Sequence, residues 1–87
     1  MSGRVLLAWN LRSLRTRRGL SQEKLAADAG VDRAWVSQIE RQQGNTSIDL
    51  LDRLAVVLEV PIAELFREPS PGEAKPMPLR GGRKPSG

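Results

Sequence analysis

Residues 21–41 read SQEKLAADAGVDRAWVSQIER, and the reading of this stretch decides the fold. Ser21 is a natural N-cap for a helix over residues 22–29. A capping box would place Glu at position 24, where Lys24 stands, and Glu23 comes one residue early. Leu25, Ala26 and Ala29 form the inner face of this helix, and the small alanines let a neighbouring helix come close. Gly30 supplies a left-handed turn at little steric cost, and Val31 plugs the turn from below. Asp32 then caps a second helix, residues 33–41. Only Val36 and Ile39 of that helix are inward apolar positions. Arg33, Ala34, Ser37 and Gln38 therefore face away from the core.

The flanks supply helices to brace this pair. Leu7, Leu11 and Leu14 repeat at helical spacing and make an apolar stripe on a first helix over residues 5–16, with Arg12, Ser13 and Arg15 off the stripe. Trp9 is either exposed or a cover for the last helix. Gly19 stops the first helix just after the basic pair Arg17-Arg18, which suits a helix C-terminus, and Leu20 turns back into the core. After the loop QQGNT (42–46), Ser47 caps a fourth helix with Asp49 in its first turn and Ile48, Leu51, Leu54, Ala55 and Leu58 on its buried stripe. Val60-Pro61 breaks the chain, and Pro61 can open a fifth helix carrying Ile62, Leu65 and Phe66. Five short helices and no strand pattern give an all-α, compact five-helix domain over residues 4–68.

Residues 69–87 differ in kind. They hold five of the six prolines and four of the eight glycines, with Met77 and Leu79 as isolated apolar side chains. Such a segment cannot bury enough surface to offset the entropy of ordering, so it reads as a disordered basic tail. Charge is unevenly placed: the tail carries four basic and one acidic residue, and residues 1–68 carry ten and nine. Within the domain, residues 1–18 hold five arginines and no acid, while residues 47–68 are mainly acidic. One basic side on a polar molecule fits duplex binding. The chain has no Cys, His or Tyr, which removes thiolate metal sites, imidazole ligands and the commonest general base. No Gly-rich phosphate loop or paired carboxylates in a cleft-like context point to an enzyme. No metal or cofactor is expected, and no small-molecule ligand is evident. No apolar run nears the ~20 residues of a membrane span, and the N-terminus lacks a signal-like cleavage site. A cytoplasmic location is expected.

Two short helices about a tight glycine turn are the layout of a helix-turn-helix, in which the second helix lies in the major groove of double-stranded DNA. The outward residues of that helix suit base reading: Arg forks onto guanine, Gln onto adenine, and Ala touches a thymine methyl. The alternative is a helical adaptor or antitoxin-type module whose main partner is a protein. An adaptor would more naturally carry an apolar patch where Arg33, Ser37 and Gln38 stand.

The pieces NLRSLR, RGLSQEKLA, AGVDRAWVSQIER and SIDLLDRLAVVLEVPIAELF, spanning Asn10 to Phe66, resemble the lambda-repressor-like (Xre-type) helix-turn-helix family in order and spacing. The segment DRAWVSQIER also looks like the controller proteins of restriction-modification systems. The resemblance implies that Gln22 bonds a backbone phosphate, and that Arg33, Ala34, Ser37 and Gln38 face bases. It implies that Trp35 lies near the DNA backbone, with ordinary cover for the fourth helix as the alternative role of its ring. Arg41, Gln43 and Asn45 would run beside the phosphates. Arg15 and Glu40 match an ion pair between the first and third helices. The family implies transcriptional regulation by a homodimer on two half-sites, often joined through the last helix. The sequence departs from the pattern in three places. Gln42 stands where a left-handed glycine is common, so either Gln42 is strained or the third helix runs on to Gly44. Gly44 stands where Lys or Arg is frequent, and Thr46 where Pro is frequent.

Overall fold

A computed structural model describes residues 1–70. Four α-helices follow one another: α1 (Gly3–Arg17), α2 (Gln22–Ala29), α3 (Arg33–Glu40) and α4 (Ile48–Leu58), and a 3-10 turn, Ile62–Phe66, closes the domain. Of the expected tail, residues 71–87 lie outside the described residues.

Serines start three of the helices. The Oγ atoms of Ser2, Ser21 and Ser47 accept from the N–H groups of Val5, Lys24 and Leu50 at 3.3, 2.9 and 3.2 Å, each satisfying one donor that the helix itself leaves open. Ser2 explains why α1 begins earlier than the leucine stripe alone suggests. Asp32 is a correction: it occupies the N-cap of α3 with an extended backbone, yet its side chain makes no capping hydrogen bond.

All four helices end in the same way. The N–H groups of Leu20, Val31, Gln43 and Val60 reach back to the carbonyls of Arg15, Ala26, Gln38 and Ala55 at 3.0, 3.0, 2.8 and 3.1 Å. Each is the long bond of a Schellman motif, which needs a left-handed residue just before its donor. Gly19 and Gly30 fill that position after α1 and α2, but Gln42 (φ 64°) and Glu59 (φ 59°) fill it after α3 and α4. This resolves the exit from α3. The helix stops at Glu40, and Gln42 takes the conformation that glycine would adopt without strain. Gln42→Gly is therefore expected to stabilise the fold by roughly 0.5–1 kcal/mol, the left-handed penalty partly offset by glycine's greater unfolded-state freedom. Urea denaturation followed by circular dichroism would register this as a higher midpoint with an unchanged m-value.

The fifth helix of the sequence reading is a second correction. Residues 62–66 form a 3-10 turn, started by the Glu64 N–H on the Pro61 carbonyl at 2.9 Å. Five residues between Pro61 and an extended Arg67 are too few to repay nucleation of an α-helix, and the tighter i→i+3 bond takes over.

Leu11, Leu25, Val36, Leu54, Leu58 and Leu65 form the centre of the core, all nearly inaccessible. Ile48 departs from the expected stripe of α4 and is 66% exposed. Ser13 and Arg15, read as lying off the stripe of α1, are buried. So is Asn10, whose Nδ2 lies 2.9, 3.2 and 2.7 Å from the carbonyl oxygens of Leu6, Leu65 and Arg67. One side-chain amide thus fastens the closing turn to α1. Trp9 is half-buried rather than exposed.

Candidate nucleic-acid interface

The geometry of α2 and α3 is set from both ends of the pair. At the near end Gly30 (φ 71°, ψ 36°) makes the turn. At the far end Glu40, in the last turn of α3, gathers donors from two other helices. Arg15 on α1 grips it with two nitrogens, Nε at 2.6 Å from Oε2 and Nη2 at 2.9 Å from Oε1. The Nε of Arg12 and the Nε2 of Gln22 also donate to Oε1, at 3.2 and 3.1 Å. Arg15 spends a further N–H on the carbonyl of Leu20 at 2.8 Å, which carries the clamp into the connection between α1 and α2.

Glu40 and Arg15 are both almost inaccessible. Burial pushes the Glu40 carboxyl toward its neutral form, but the hydrogen bonds from Arg15 and Gln22, the charge of Arg15 and the bond from Arg12 outweigh it. The carboxyl is held below the usual glutamate range. A depressed folded-state pKa contributes stability above the unfolded-state value, and that contribution is lost as the pH falls through the folded value. Acid titration of the unfolding midpoint should therefore show a loss of stability beginning where unfolded glutamates protonate and continuing below it, and Glu40→Gln should flatten that part of the profile.

Against this clamp, α3 presents its other face. Arg33, Ala34 and Gln38 are exposed, and Ser37 is half-buried. The Oγ of Ser37 accepts from Nη1 of Arg41, which joins these two side chains one helical turn apart. Gln22 is half-buried, with one amide N–H on Glu40. Its amide retains a second N–H and an oxygen.

The loop after α3 is tied at several points. The indole Nε1 of Trp35 donates to the carbonyl of Asn45 at 3.3 Å, and the half-buried ring packs against the core. Gln43 and Asn45 are exposed. Gly44 (φ 77°) lies against Gln38, since a Cβ there would stand 3.4 Å from the Gln38 Oε1. From across the domain, Arg4 donates through Nε to the carbonyl of Gly44 at 3.1 Å and through Nη2 to the Oδ1 of Asn45 at 2.7 Å.

Two side chains absent from the sequence expectation thus enter the site. Arg12 could have been found, because it lies three residues before Arg15 on one helix face. Arg4 could not, because it meets its partners across 40 and 41 residues.

The model of the family described as helix-turn-helix matches residues 11–65, well over half the chain. The chain belongs to the helix-turn-helix family.

Named relatives agree with that membership. A protein of Neisseria meningitidis described as a hypothetical transcription factor is 38% identical over 66 residues, which cover 76% of this chain and 62% of that protein. The chain thus spans less than two thirds of that relative's length. The crystal structure of the restriction-modification controller protein C.AhdI from Aeromonas hydrophila superposes with a TM-score of 0.70 at 44% identity, over 72% of this helix-turn-helix chain and 96% of that one. The crystal structure of SinR, the master regulator for biofilm formation and a Bacillus subtilis protein, in complex with DNA, superposes with a TM-score of 0.66 at 34% identity, over 70% of this chain and 98% of the other. Among the described residues of this helix-turn-helix protein, no helix is long and apolar enough to cross a membrane.

Proposed function

We propose that this helix-turn-helix protein is a transcriptional regulator that binds double-stranded DNA sequence-specifically, with α3 in the major groove. The observation that carries the reading is the division of α3. Val36, Ile39 and Glu40 anchor it, while Arg33, Ala34 and Gln38 stand exposed with hydrogen-bonding and methyl groups suited to base edges. The likeness to SinR, solved with DNA, and to a restriction-modification controller protein supports the same reading.

In this reading residues 4–68 are the DNA-binding domain, acting in the cytoplasm by binding rather than catalysis. Arg33, Ala34, Ser37 and Gln38 contact bases. Gln22, Trp35, Arg41, Gln43 and Asn45 lie along the backbone, and the Arg15–Glu40 pair holds α3 at its angle. The active form is a homodimer on two half-sites about 34 Å apart, one helical turn. Exposed Ile48, Val56 and Phe66 leave apolar surface for a second copy to cover. The polar outer face of α3 argues against the adaptor alternative, which would place apolar side chains there.

Selection from a pool of random duplexes at moderate salt tests this reading. The expected result is a preferred site with two related halves. Recovery of no preferred sequence would overturn it.

A further inference from the structure

The five arginines of residues 1–18 look alike in the sequence, but the fold treats them differently. Arg12 and Arg15 converge on Glu40, and Arg18 pairs with Glu59 at 3.0 Å. Three of the five arginines thus meet a carboxylate within the molecule, two of them the same one. Arg4 is the contrast. Its guanidinium is exposed and rests on two neutral oxygens, the Gly44 carbonyl and the Asn45 side chain. Neither acceptor cancels its charge, and among the described residues no carboxylate pairs with it.

The location of that charge is informative. Arg4 stands in the first turn of α1, where the helix dipole disfavours a cation, so its placement does not serve α1. The oxygens it rests on belong to the loop leaving α3. Gly44, one of its two partners, packs against Gln38 on the outer face of α3. Arg4 thus docks on a loop that borders Gln38 and is bonded to it through the Gln43 N–H. With Nε and Nη2 committed to the loop, the fork keeps further N–H groups on Nη1 and Nη2 for an outside acceptor. Arg is suited to this double use, because its planar fork binds phosphate while part of it is held.

We infer that Arg4 is a phosphate-contacting residue: carried by α1 and docked on Gly44 and Asn45, its unneutralised guanidinium meets the DNA backbone where the strand passes the loop after α3. This rests on the DNA-binding reading above. It adds to that interface a cation from a helix outside the helix-turn-helix itself, and it makes Arg4 a positioning residue for the loop as well.

The test measures affinity against salt concentration for the full chain, Arg4→Gln and Arg4→Lys, by fluorescence anisotropy. The probes are the selected duplex and an unrelated duplex of equal length. Each phosphate neutralised adds about 0.9 to the slope of log K against log salt. Arg4→Gln should lower the slope by about that much and weaken binding to both duplexes alike. Arg4→Lys should keep the slope, because the charge remains. Circular dichroism melting of both variants confirms that they are folded, as the exposure of Arg4 leads one to expect. An unchanged slope in Arg4→Gln, or a slope lowered equally in Arg4→Lys, overturns the inference and leaves Arg4 a brace for the loop. If the unmodified chain binds neither duplex, the DNA-binding reading falls and this inference with it.

Discussion

Glu40→Ala should leave the protein largely unfolded, or melting at least about 15 °C lower. Arg15 is 4% exposed, and losing Glu40 leaves its charge in the interior with the Leu20 carbonyl but no counter-charge facing it from α3. Removing one member of a buried ion pair costs about 3–5 kcal/mol. A helical domain of this size has roughly 3–10 kcal/mol of stability in total. The loss is therefore comparable with everything the fold has to spare. Arg12→Ala is the control, because Arg12 donates to the same carboxylate from a side chain that is 29% exposed. It should cost much less, in the range of a solvated pair, about 0–1 kcal/mol. Thermal melts of the two variants side by side decide the matter. Similar, small shifts in both would mean that solvent reaches the cluster and that the angle of α3 is held by Val36 and Ile39 alone.

Arg33→Ala should reduce affinity for the selected site by roughly 1–3 kcal/mol, about 5- to 150-fold, and relax the preference at one base pair. The fold should be unaffected, since Arg33 is exposed. A cation in the first turn of α3 is mildly unfavourable for that helix, so stability can even rise slightly. Competition against duplexes varied one pair at a time separates the roles. A loss confined to one pair makes Arg33 a base reader, while a uniform loss makes it a phosphate contact. Gln22→Ala is a useful contrast, because its amide is shared with Glu40 and its removal touches both stability and binding.

The helices of this fold were legible because their signals are local. Ser21 and Ser47 announce their caps, Gly19 and Gly30 their ends, and the leucines of α1 and α4 repeat at the helical period. The errors fall where a distant partner decides. Arg15 looks like any surface arginine until Glu40 comes to meet it, and only the family resemblance marked the pair. Asn10 has no local signature at all, since its acceptors at Leu65 and Arg67 arrive from the other end of the domain. Residues 62–66 carry a helix-like pattern, but the extended backbone that follows at Arg67 limits them to a 3-10 turn. At the candidate site the outward residues of α3 followed from helical geometry. Arg4 and the engagement of Gln22 did not, because hydrogen bonds between separate elements leave no periodic trace in a sequence.

The tryptophans give this molecule a further use. The chain has two of them and no tyrosine, so its ultraviolet emission comes almost wholly from two indoles. Their surroundings differ. The Nε1 of Trp9 is enclosed without a hydrogen-bond partner, while that of Trp35 donates to the loop at Asn45. Trp35 thus stands as a built-in optical probe of the junction between α3 and its exit loop, and Trp9→Phe would leave it reporting alone.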